Sequence, residues 1–366
     1  MAQRLVSLVL LAGLASALSP TYSACQLQKA AADSPLTGCP EGTLYVSPTD
    51  SRANFTSVQE AVLSLPASGD ATILIGEGSY FEMVNVTRSA PLTLLGQLDP
   101  ATAFDPAGNA SQRNLVQIWN NIYVKDNLTD EETATLTVAP PSGENFGNIN
   151  FRAYNIDFEN RAANYSISQA LVTSIMYANA SFYGCAFASW QDTWYTGHGA
   201  YTYAFDSIIY GQTDYLFGFG IAWFQNVVLA NRACGGGITA WQGTNGTRDG
   251  AYIADSVIMR SPDANATTVT YESCYLGRDW NPEAVAVYLR NYMDDSIRPA
   301  GFTPWDGETT VPNTTYYAEF DSYGPGGNIS ARVPQDHILT AMEAENFTLT
   351  KVFSGTPAWI DFEYVL

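Results

Sequence analysis

Two aspartates occupy matching positions in the sequence. Asp192 lies in S-W-Q-D-T-W-Y (189–195) and Asp214 lies in G-Q-T-D-Y-L-F-G (211–218), each seven residues after the second residue of a short β-rich run. Residues at equal offsets in stacked strands are about 4.8 Å apart, so the two carboxyl groups should be neighbours. Two like charges so close, beside aromatic rings, raise at least one carboxyl pKa and favour one shared proton. The spacing therefore predicts a general acid next to a nucleophile or base.

Three further polar residues suit reaction chemistry around these aspartates. Gln191 adjoins Asp192, Gln169 precedes it in S-Q-A-L, and Arg278 stands in L-G-R-D-W. Side-chain amides donate hydrogen bonds to an oxyanion, and an arginine holds a carboxylate ionised through charge-assisted hydrogen bonds. The alternative is a solvated ladder of like residues, which stacked strands also form on their surfaces. Both interpretations require the same stacked fold.

The elements that must position these residues form a repeat. Short runs with period-2 apolar alternation recur along the chain, each with one face to bury. Repeats of 20 to 29 residues, each too short to bury its own apolar face, indicate a stacked solenoid. Strands and turns with almost no helix between them predict an all-β fold, a single-stranded parallel β-helix. The runs are N-I-D-F (155–158), G-C-A-F (184–187), D-S-I-I (206–209), N-V-V-L (226–229) and D-S-V-I (255–258).

Two helices are predicted near the ends of this stack, whose exposed strand edges need covering. Residues 55–66 begin with a capping-box pattern from Ser57 to Glu60 and continue with helical apolar spacing, so they should form an N-terminal capping helix. Residues 335–347 should form a second helix near the C-terminal end. No linker interrupts the chain, which predicts one β-helix domain over residues 18–366.

The start of the chain and its charge point to export. Residues 1–17 combine a basic start, a short apolar run and a small-residue ending, which is typical of a cleaved signal peptide. The net charge of −20 argues against nucleic acid or an anionic membrane as a partner. We expect a secreted, extracellular glycoprotein that is a monomer. Its eleven N-x-S/T sequons are at Asn54, Asn85, Asn109, Asn127, Asn164, Asn179, Asn245, Asn265, Asn313, Asn328 and Asn346.

The five cysteines are an odd number, so at least one of them is unpaired within the chain. Cys25 and Cys39 are close in sequence and suit a disulfide in an exported protein. Cys185, which has apolar neighbours, should be a buried thiol. The chain has two histidines and no C-x-x-C or H-x-x-x-H spacing. We therefore expect no metal site and no cofactor.

Five short motifs, in this order, resemble the pectin methylesterases, also called pectinesterases. They are G-S-Y-F-E (78–82) for the family's G-x-Y-x-E, Q-A (169–170), Q-D-T (191–193), D-Y-L-F-G (214–218) for D-F-I-F-G, and L-G-R with a following tryptophan (276–280). The resemblance extends over roughly residues 40–350, and the acidic composition is similar to that of fungal members. It implies a secreted right-handed parallel β-helix that hydrolyses the methyl esters of galacturonate in pectin.

The resemblance also implies a role for each matching residue. Asp214 would attack the ester carbonyl and form an acyl-enzyme, while Asp192 would protonate the departing methanol and then activate water. Gln169 and Gln191 would stabilise the tetrahedral intermediate, and Arg278 would orient Asp214. Substrate contacts would come from Trp280, Phe217 and Tyr215.

The chain departs from the family pattern at two places. Asp279 stands where the family usually has proline, so its carboxylate would compete for Arg278, and G-Q-T-D replaces the commoner G-T-V-D before Asp214. Four other tryptophans, Trp190, Trp194, Trp241 and Trp305, are interpreted as packing residues.

Three alternatives use the same scaffold. A polygalacturonase, a glycosidase with paired aspartates, would explain G-H-G (197–199), but its motifs should occur in a different order and His198 is interpreted as a loop residue. A pectate lyase would need a calcium-binding cluster of acids, which the sequence does not show. A non-catalytic polysaccharide-binding β-helix would keep the aromatic residues without needing both aspartates and Arg278 together.

Overall fold

The fold is built from coils of three strands that follow one another along the chain. The computed structural model describes residues 18–104 and 110–364, so the predicted signal peptide (1–17) and the sequon at Asn109 lie outside the described residues. Strands of successive coils pair in parallel and form one sheet of eleven strands and two of eight. This architecture is the predicted parallel β-helix.

The eight coils from β2 to β25 each contribute one strand to every sheet, in the order sheet 1, sheet 2, sheet 3, and β1, β26 and β27 extend sheet 1 alone. Sheet 1 contains β1 (Leu44–Val46), β2 (Ala71–Ile75), β5 (Leu92–Gly96), β8 (Phe151–Tyr154), β11 (Asn179–Tyr183), β14 (Tyr201–Phe205), β17 (Ile221–Gln225), β20 (Gly250–Ala254), β23 (Val285–Leu289), β26 (Tyr316–Phe320) and β27 (Asp336–Ile338). Sheet 2 contains β3 (Gly78–Phe81), β6 (Val116–Asn120), β9 (Asp157–Asn160), β12 (Ala186–Ala188), β15 (Ile208–Thr213), β18 (Val228–Gly235), β21 (Val257–Arg260) and β24 (Tyr292–Met293). Sheet 3 contains β4 (Val84–Val86), β7 (Leu136–Val138), β10 (Thr173–Ile175), β13 (Trp194–Thr196), β16 (Leu216–Gly218), β19 (Thr239–Trp241), β22 (Gly277–Asp279) and β25 (Phe302–Thr303).

The repeat predicted from sequence is the corner between sheets 1 and 2. The first residue of each run adopts a left-handed backbone conformation with φ between 49° and 59° at Asn155, Gly184, Asp206, Asn226 and Asp255. Gly, Asn and Asp tolerate this conformation at least cost, which explains their recurrence at this position. The large apolar residue that ends each run, such as Phe158, points inward and stacks on its counterpart Phe187 in the next coil at 5.8 Å.

The predicted N-terminal cap is present as helix α2 (Val58–Ser64), and the Ser57 hydroxyl accepts a hydrogen bond from the amide of Glu60. Two further backbone amides in the first turn of this helix donate to a residue that lies outside the predicted helix. Glu82, the last residue of the G-S-Y-F-E motif, accepts from the amides of Val58 and Gln59, both at 2.9 Å. The motif therefore anchors the cap to the first coil through a carboxylate at a helix N-terminus.

The predicted helix over 335–347 is wrong in its first half. Asp336–Ile338 form β27, the last strand of sheet 1, and only Ala341–Ala344 are helical (α3), capped by Thr340. A further short helix, α4 (Leu349–Val352), was not predicted, and neither was α1 (Ser23–Gln26). The strand forms because β26 leaves an unpaired edge that the backbone of residues 336–338 completes. Short 3₁₀ helices occur at Ala110–Arg113, Glu131–Thr133, Pro325–Gly327 and Ile329–Ala331.

The C-terminal segment covers the outer face of sheet 1. That face carries a ladder of aromatic residues, including Tyr154 and Tyr183, which stack at 4.7 Å. Trp359, Ile360 and Tyr364 bury this ladder. The Tyr154 hydroxyl also donates to Asp361 at 2.8 Å. The segment converts an exposed apolar sheet face into a second core.

The cysteines agree with the sequence analysis and extend it. Cys25 and Cys39 form a disulfide, and Cys185 is a buried free thiol. Cys234 and Cys274, whose pairing the sequence left open, form a second disulfide that joins the end of β18 to the segment before β22.

Within the described part of the chain, no helix is long and apolar enough to cross a membrane.

A buried charge cluster near the end of the stack makes stability depend on pH. The Asp336 side chain is fully buried, with Arg332 Nε 3.7 Å from its Oδ2, and no hydrogen-bond donor of the described residues reaches either of its oxygens. Burial and then the neighbouring Glu319 raise the pKa of Asp336 to about 9. The folded chain thus retains a proton that the unfolded chain loses near pH 4, so the free energy of unfolding falls as pH rises between these values.

Asp336→Asn imitates the protonated, neutral side chain and should therefore remove this fall in the free energy of unfolding with rising pH. We expect the free energy of unfolding to exceed that of the wild type by at least about 1 kcal/mol at pH 8, and the difference to shrink towards pH 4. Urea unfolding at the two pH values measures both quantities. If the variant is less stable than the wild type by the same amount at pH 4 and at pH 8, then Asp336 is ionised in the folded chain and paired with Arg332.

Candidate active site

The two predicted aspartates lie at one corner of the β-helix, between sheets 2 and 3. Gln191 pairs with Thr213 in the next coil, and Thr213 pairs with Gly235 in the coil after it. Asp192 and Asp214, which follow these paired residues, are therefore vertical neighbours. Both have left-handed backbones, with φ of 59° and 49°. The predicted stacking of the two carboxylates is thus present.

A third residue of this column, Gly236, was missed by the sequence analysis. It follows Asp214 by 22 positions, as Asp214 follows Asp192, and its φ is 56°. A Cβ atom at this position would lie 2.6 Å from Asp214 Oδ1 and 3.0 Å from Arg278 Nε. Glycine is required because the aspartate and the guanidinium meet in the space that a side chain would fill. The constant 22-residue spacing was the signal that could have identified it.

Arg278 holds Asp214 by two parallel hydrogen bonds. Nε donates to Oδ1 at 2.9 Å and Nη2 donates to Oδ2 at 2.6 Å, while the amide of Gly237 donates to Oδ1 at 3.0 Å. The two side chains are only 8% and 9% exposed. Burial raises the pKa of Asp214, and the contacts from Arg278 and Gly237 oppose that rise. These donors aim the Asp214 carboxylate and favour its ionised form.

No cation of residues 18–104 and 110–364 pairs with Asp192 in this way. Burial raises the pKa of Asp192 well above its ordinary value, and the charges of Asp214 and Asp130 raise it further. The same corner of the fold therefore carries one carboxyl group that favours its proton and one that a guanidinium stabilises as an anion. A protonated acid beside an ionised carboxylate is the arrangement that the sequence analysis predicted.

Both predicted glutamines line the cleft, each with its amide oxygen already occupied. Ser166 donates to Gln191 Oε1 at 2.9 Å, and Ser168 donates to Gln169 Oε1 at 2.8 Å. The amide NH₂ of each glutamine is left as the donor beside the two aspartates. The serines were missed by the sequence analysis, because a hydroxyl in a loop gives no pattern that identifies its partner.

Aromatic rings form one wall of the cleft. Phe217 and Trp280 line it as predicted, and so does Trp305, which the sequence analysis had interpreted as a packing residue. Tyr195 stacks on Phe217 at 4.8 Å. The prediction for Tyr215 is corrected: its side chain is fully buried in the core and its hydroxyl donates to Asn231, so it cannot contact a ligand in the cleft.

The other tryptophans and His198 have the structural positions that were expected. Trp194 and Trp241 are buried in the core. Trp190 lies just after β12, where the guanidinium of Arg232 packs on its ring. His198 is exposed in a loop and stacks on Phe219.

The expected competition of Asp279 for Arg278 is not observed. Asp279 is the next residue of β22, so its side chain points to the opposite face and is buried there. The second carboxylate on Arg278 is instead Asp306, whose Oδ2 lies 2.8 Å from Nη1. Asp306 and Asp130, which also lines the cleft, were not singled out by the sequence analysis because each lies in a loop outside the repeat.

Within residues 18–104 and 110–364, no cluster of three or more His, Cys, Asp or Glu side chains could hold a metal ion.

Comparison with known proteins places this cleft in a family. The family model described as Pectinesterase matches residues 45–356. A probable pectinesterase A of Aspergillus niger is 28% identical over 331 residues, which cover 90% of each chain. A probable pectinesterase/pectinesterase inhibitor of Arabidopsis thaliana is 29% identical over 316 residues, 83% of this chain and 50% of the relative.

A solved structure supports the same assignment. A pectin methylesterase from Aspergillus niger has a TM-score of 0.73 and 26% identity, covering 89% of this chain and 98% of that one. This chain spans about half the length of the plant relatives that it matches, and most of the length of the fungal one. The family model covers most of the chain, including the corner with the two aspartates and Arg278, and the chain therefore belongs to the pectinesterase family.

Proposed function

We propose that this protein hydrolyses the methyl esters of galacturonate in pectin and releases methanol. The observation that carries the proposal is the pair of stacked carboxyl groups: Arg278 donates two hydrogen bonds to Asp214, while burial raises the pKa of Asp192 well above its ordinary value. Ester hydrolysis through an acyl-enzyme needs one nucleophile and one acid in these two states.

In the first half of the proposed reaction, Asp214 attacks the ester carbonyl carbon. The carbonyl oxygen takes up negative charge, which the NH₂ groups of Gln169 and Gln191 stabilise by hydrogen bonds. The tetrahedral intermediate then collapses as the bond to the methoxy oxygen breaks. Asp192 gives its proton to that oxygen, methanol leaves, and an anhydride joins Asp214 to the sugar carboxyl group.

In the second half, the ionised Asp192 removes a proton from water, which attacks the anhydride. Collapse of the second tetrahedral intermediate restores Asp214 as an anion and releases the galacturonic acid carboxyl group, which then loses its remaining proton to solvent. Asp192 recovers its proton, so the two carboxyl groups return to their starting states. The net reaction consumes one water and releases methanol, the free carboxylate and one proton.

The setting that we propose for this reaction is extracellular. Residues 1–17 would direct export, residues 18–366 would act as one catalytic domain and as a monomer, and pectin would be the partner. Nine of the ten described sequon asparagines are exposed, whereas Asn179 is half-buried and donates to the carbonyl of Ile149. The net charge of −20 favours neither nucleic acid nor an anionic membrane.

The experiment that tests the function follows three products in one sample. Highly methylated pectin is incubated with the protein and a chelator, and methanol, new reducing ends and unsaturated ends are measured together. We expect methanol alone. New reducing ends without methanol would mean that the carboxyl pair cleaves glycosidic bonds, and no product would favour a polysaccharide-binding protein.

Replacing the nucleophile should abolish activity and leave the fold intact. Asp214→Asn keeps the size of the side chain, and asparagine tolerates the left-handed backbone at this position. It removes the attacking charge, so we expect kcat to fall by at least about 1,000-fold, or about 4 kcal/mol in activation free energy. Methanol release and far-ultraviolet circular dichroism provide the two readouts. Turnover within tenfold of the wild type would assign the nucleophile to another residue.

The two serines should act as positioning residues for the glutamine amides. Ser166→Ala and Ser168→Ala each remove one hydrogen bond that fixes an amide, worth about 1 kcal/mol, so we expect kcat to fall about fivefold with little change in KM. A threonine at the same position keeps the hydroxyl and should recover most of the rate. An effect on KM alone would show that the serines contact substrate instead of orienting the amides.

A further inference from the structure

The cleft has an excess of negative charge. Four carboxyl groups face the cleft or Arg278, which lines it: Asp130, Asp192, Asp214 and Asp306. Among the described residues that line the cleft, Arg278 is the single cation. Even with Asp192 protonated, three carboxylates remain against one guanidinium. A pectin segment that carries free carboxylates would add further like charge to this site.

Arg278 is not available to receive a substrate carboxylate. Its Nε and Nη2 hold Asp214, and its Nη1 holds Asp306 at 2.8 Å. One face of the guanidinium is covered by the ring of Trp305, 4.0 Å from the ring centroid. Two carboxylates and an aromatic ring thus occupy the group that would otherwise attract an anionic sugar.

The two carboxylates without a catalytic role lie on opposite sides of the reacting corner. Asp130 precedes β7, which lies two strands before β13 in sheet 3, whereas Asp306 follows β25, the last strand of that sheet. The catalytic aspartates precede β13 and β16, between these ends. A polysaccharide laid along the stack therefore passes a carboxylate on each side of the sugar that reacts.

The surroundings of the two carboxylates differ. Asp130 is half-buried, and its side chain makes no capping hydrogen bond to the short helix Glu131–Thr133 that follows it. The side chain of Asp306 is 84% exposed, so solvent screens its charge more strongly. The Asp130 charge should consequently have the larger effect on an anionic neighbour.

We propose that Asp130 and Asp306 are specificity-determining residues that favour methyl-esterified sugars on both sides of the reacting ester. The inference rests on the proposed function. A neutral ester beside either aspartate meets no repulsion, whereas a free galacturonate carboxylate adds to the excess negative charge, because Arg278 already faces both Asp214 and Asp306. The enzyme therefore selects long esterified tracts and discriminates against an isolated ester between free carboxylates.

The test compares two galacturonate hexamers, one fully methyl-esterified and one esterified only at the third sugar. The quantity measured is the ratio of kcat/KM for methanol release from the first to that from the second. The wild type should show a large ratio that falls with added salt, since screening weakens repulsion. Asp130→Asn and Asp306→Ala should each lower the ratio, by about fivefold and about threefold respectively.

A charge-matched control separates the cleft from the net charge of the protein. Asp255→Asn removes one carboxylate from the exposed pair with Arg290, at the corner between sheets 1 and 2, where asparagine also tolerates the left-handed backbone. It should leave the ratio unchanged. If Asp255→Asn lowers the ratio of kcat/KM values as much as the cleft variants do, the preference comes from the net charge of the protein and the proposal is overturned.

Further outcomes would contradict the inference in ways that can be told apart. If Asp306→Ala and Asp130→Asn slow both hexamers by the same factor, the aspartates only support the catalytic residues and do not set specificity. An unchanged ratio in both variants, with methanol still released from the esterified hexamer, overturns the inference but keeps the proposed function. A wild type that releases no methanol from either hexamer contradicts the proposed function itself.

Discussion

The in-register parallel pairing of successive coils is the constraint on which the other features of the molecule depend. Each coil hydrogen-bonds to the next with matched positions, so a residue at a corner has its counterpart directly above it. This pairing brings Asp192, Asp214 and Gly236 into one column, and Arg278 of β22, one coil beyond Gly236, reaches back past that glycine to Asp214. A shift of one residue in any coil would turn alternate side chains inward and dismantle the cleft.

The two catalytic aspartates differ because of their neighbours and not because of their backbones, which share a conformation. Gly236 leaves a space beside Asp214, and Arg278 fills it with two hydrogen bonds. Nothing comparable reaches Asp192, whose carboxyl group is buried next to two other acids. A missing side chain in one coil thus decides which of two stacked carboxylates is the anion.

The ends and the outer face of the stack are closed by different means. Glu82 ties the N-terminal helix to the first coil, whereas the last edge is paired by β27 and supported by the buried Glu319, Arg332 and Asp336. The aromatic ladder on sheet 1 is covered by the C-terminal segment. These closures keep the strand edges from pairing with other chains and leave the outer face of sheet 3 open for a long ligand.

Most of the fold and the centre of the site could be predicted from the sequence. Period-2 runs led by Gly, Asn or Asp determined the β-helix, since few residue types tolerate its left-handed corners. The equal offsets of Asp192 and Asp214 determined their stacking, and short motifs identified Gln169, Gln191, Arg278, Phe217 and Trp280.

Other features were decided only by the tertiary structure. Tyr215 immediately precedes β16, and whether its ring faces the core or the cleft depends on how the corner turns. The pairing of residues 336–338 as a strand depends on an edge that β26 leaves open, which overrides local helical spacing. Asp306, Trp305 and Asp130 come from loops outside the repeat, so their meeting at the cleft follows from the fold and not from any spacing. Contacts between residues far apart in sequence leave no local pattern, and for that reason the charge of the cleft could be read only from the folded chain.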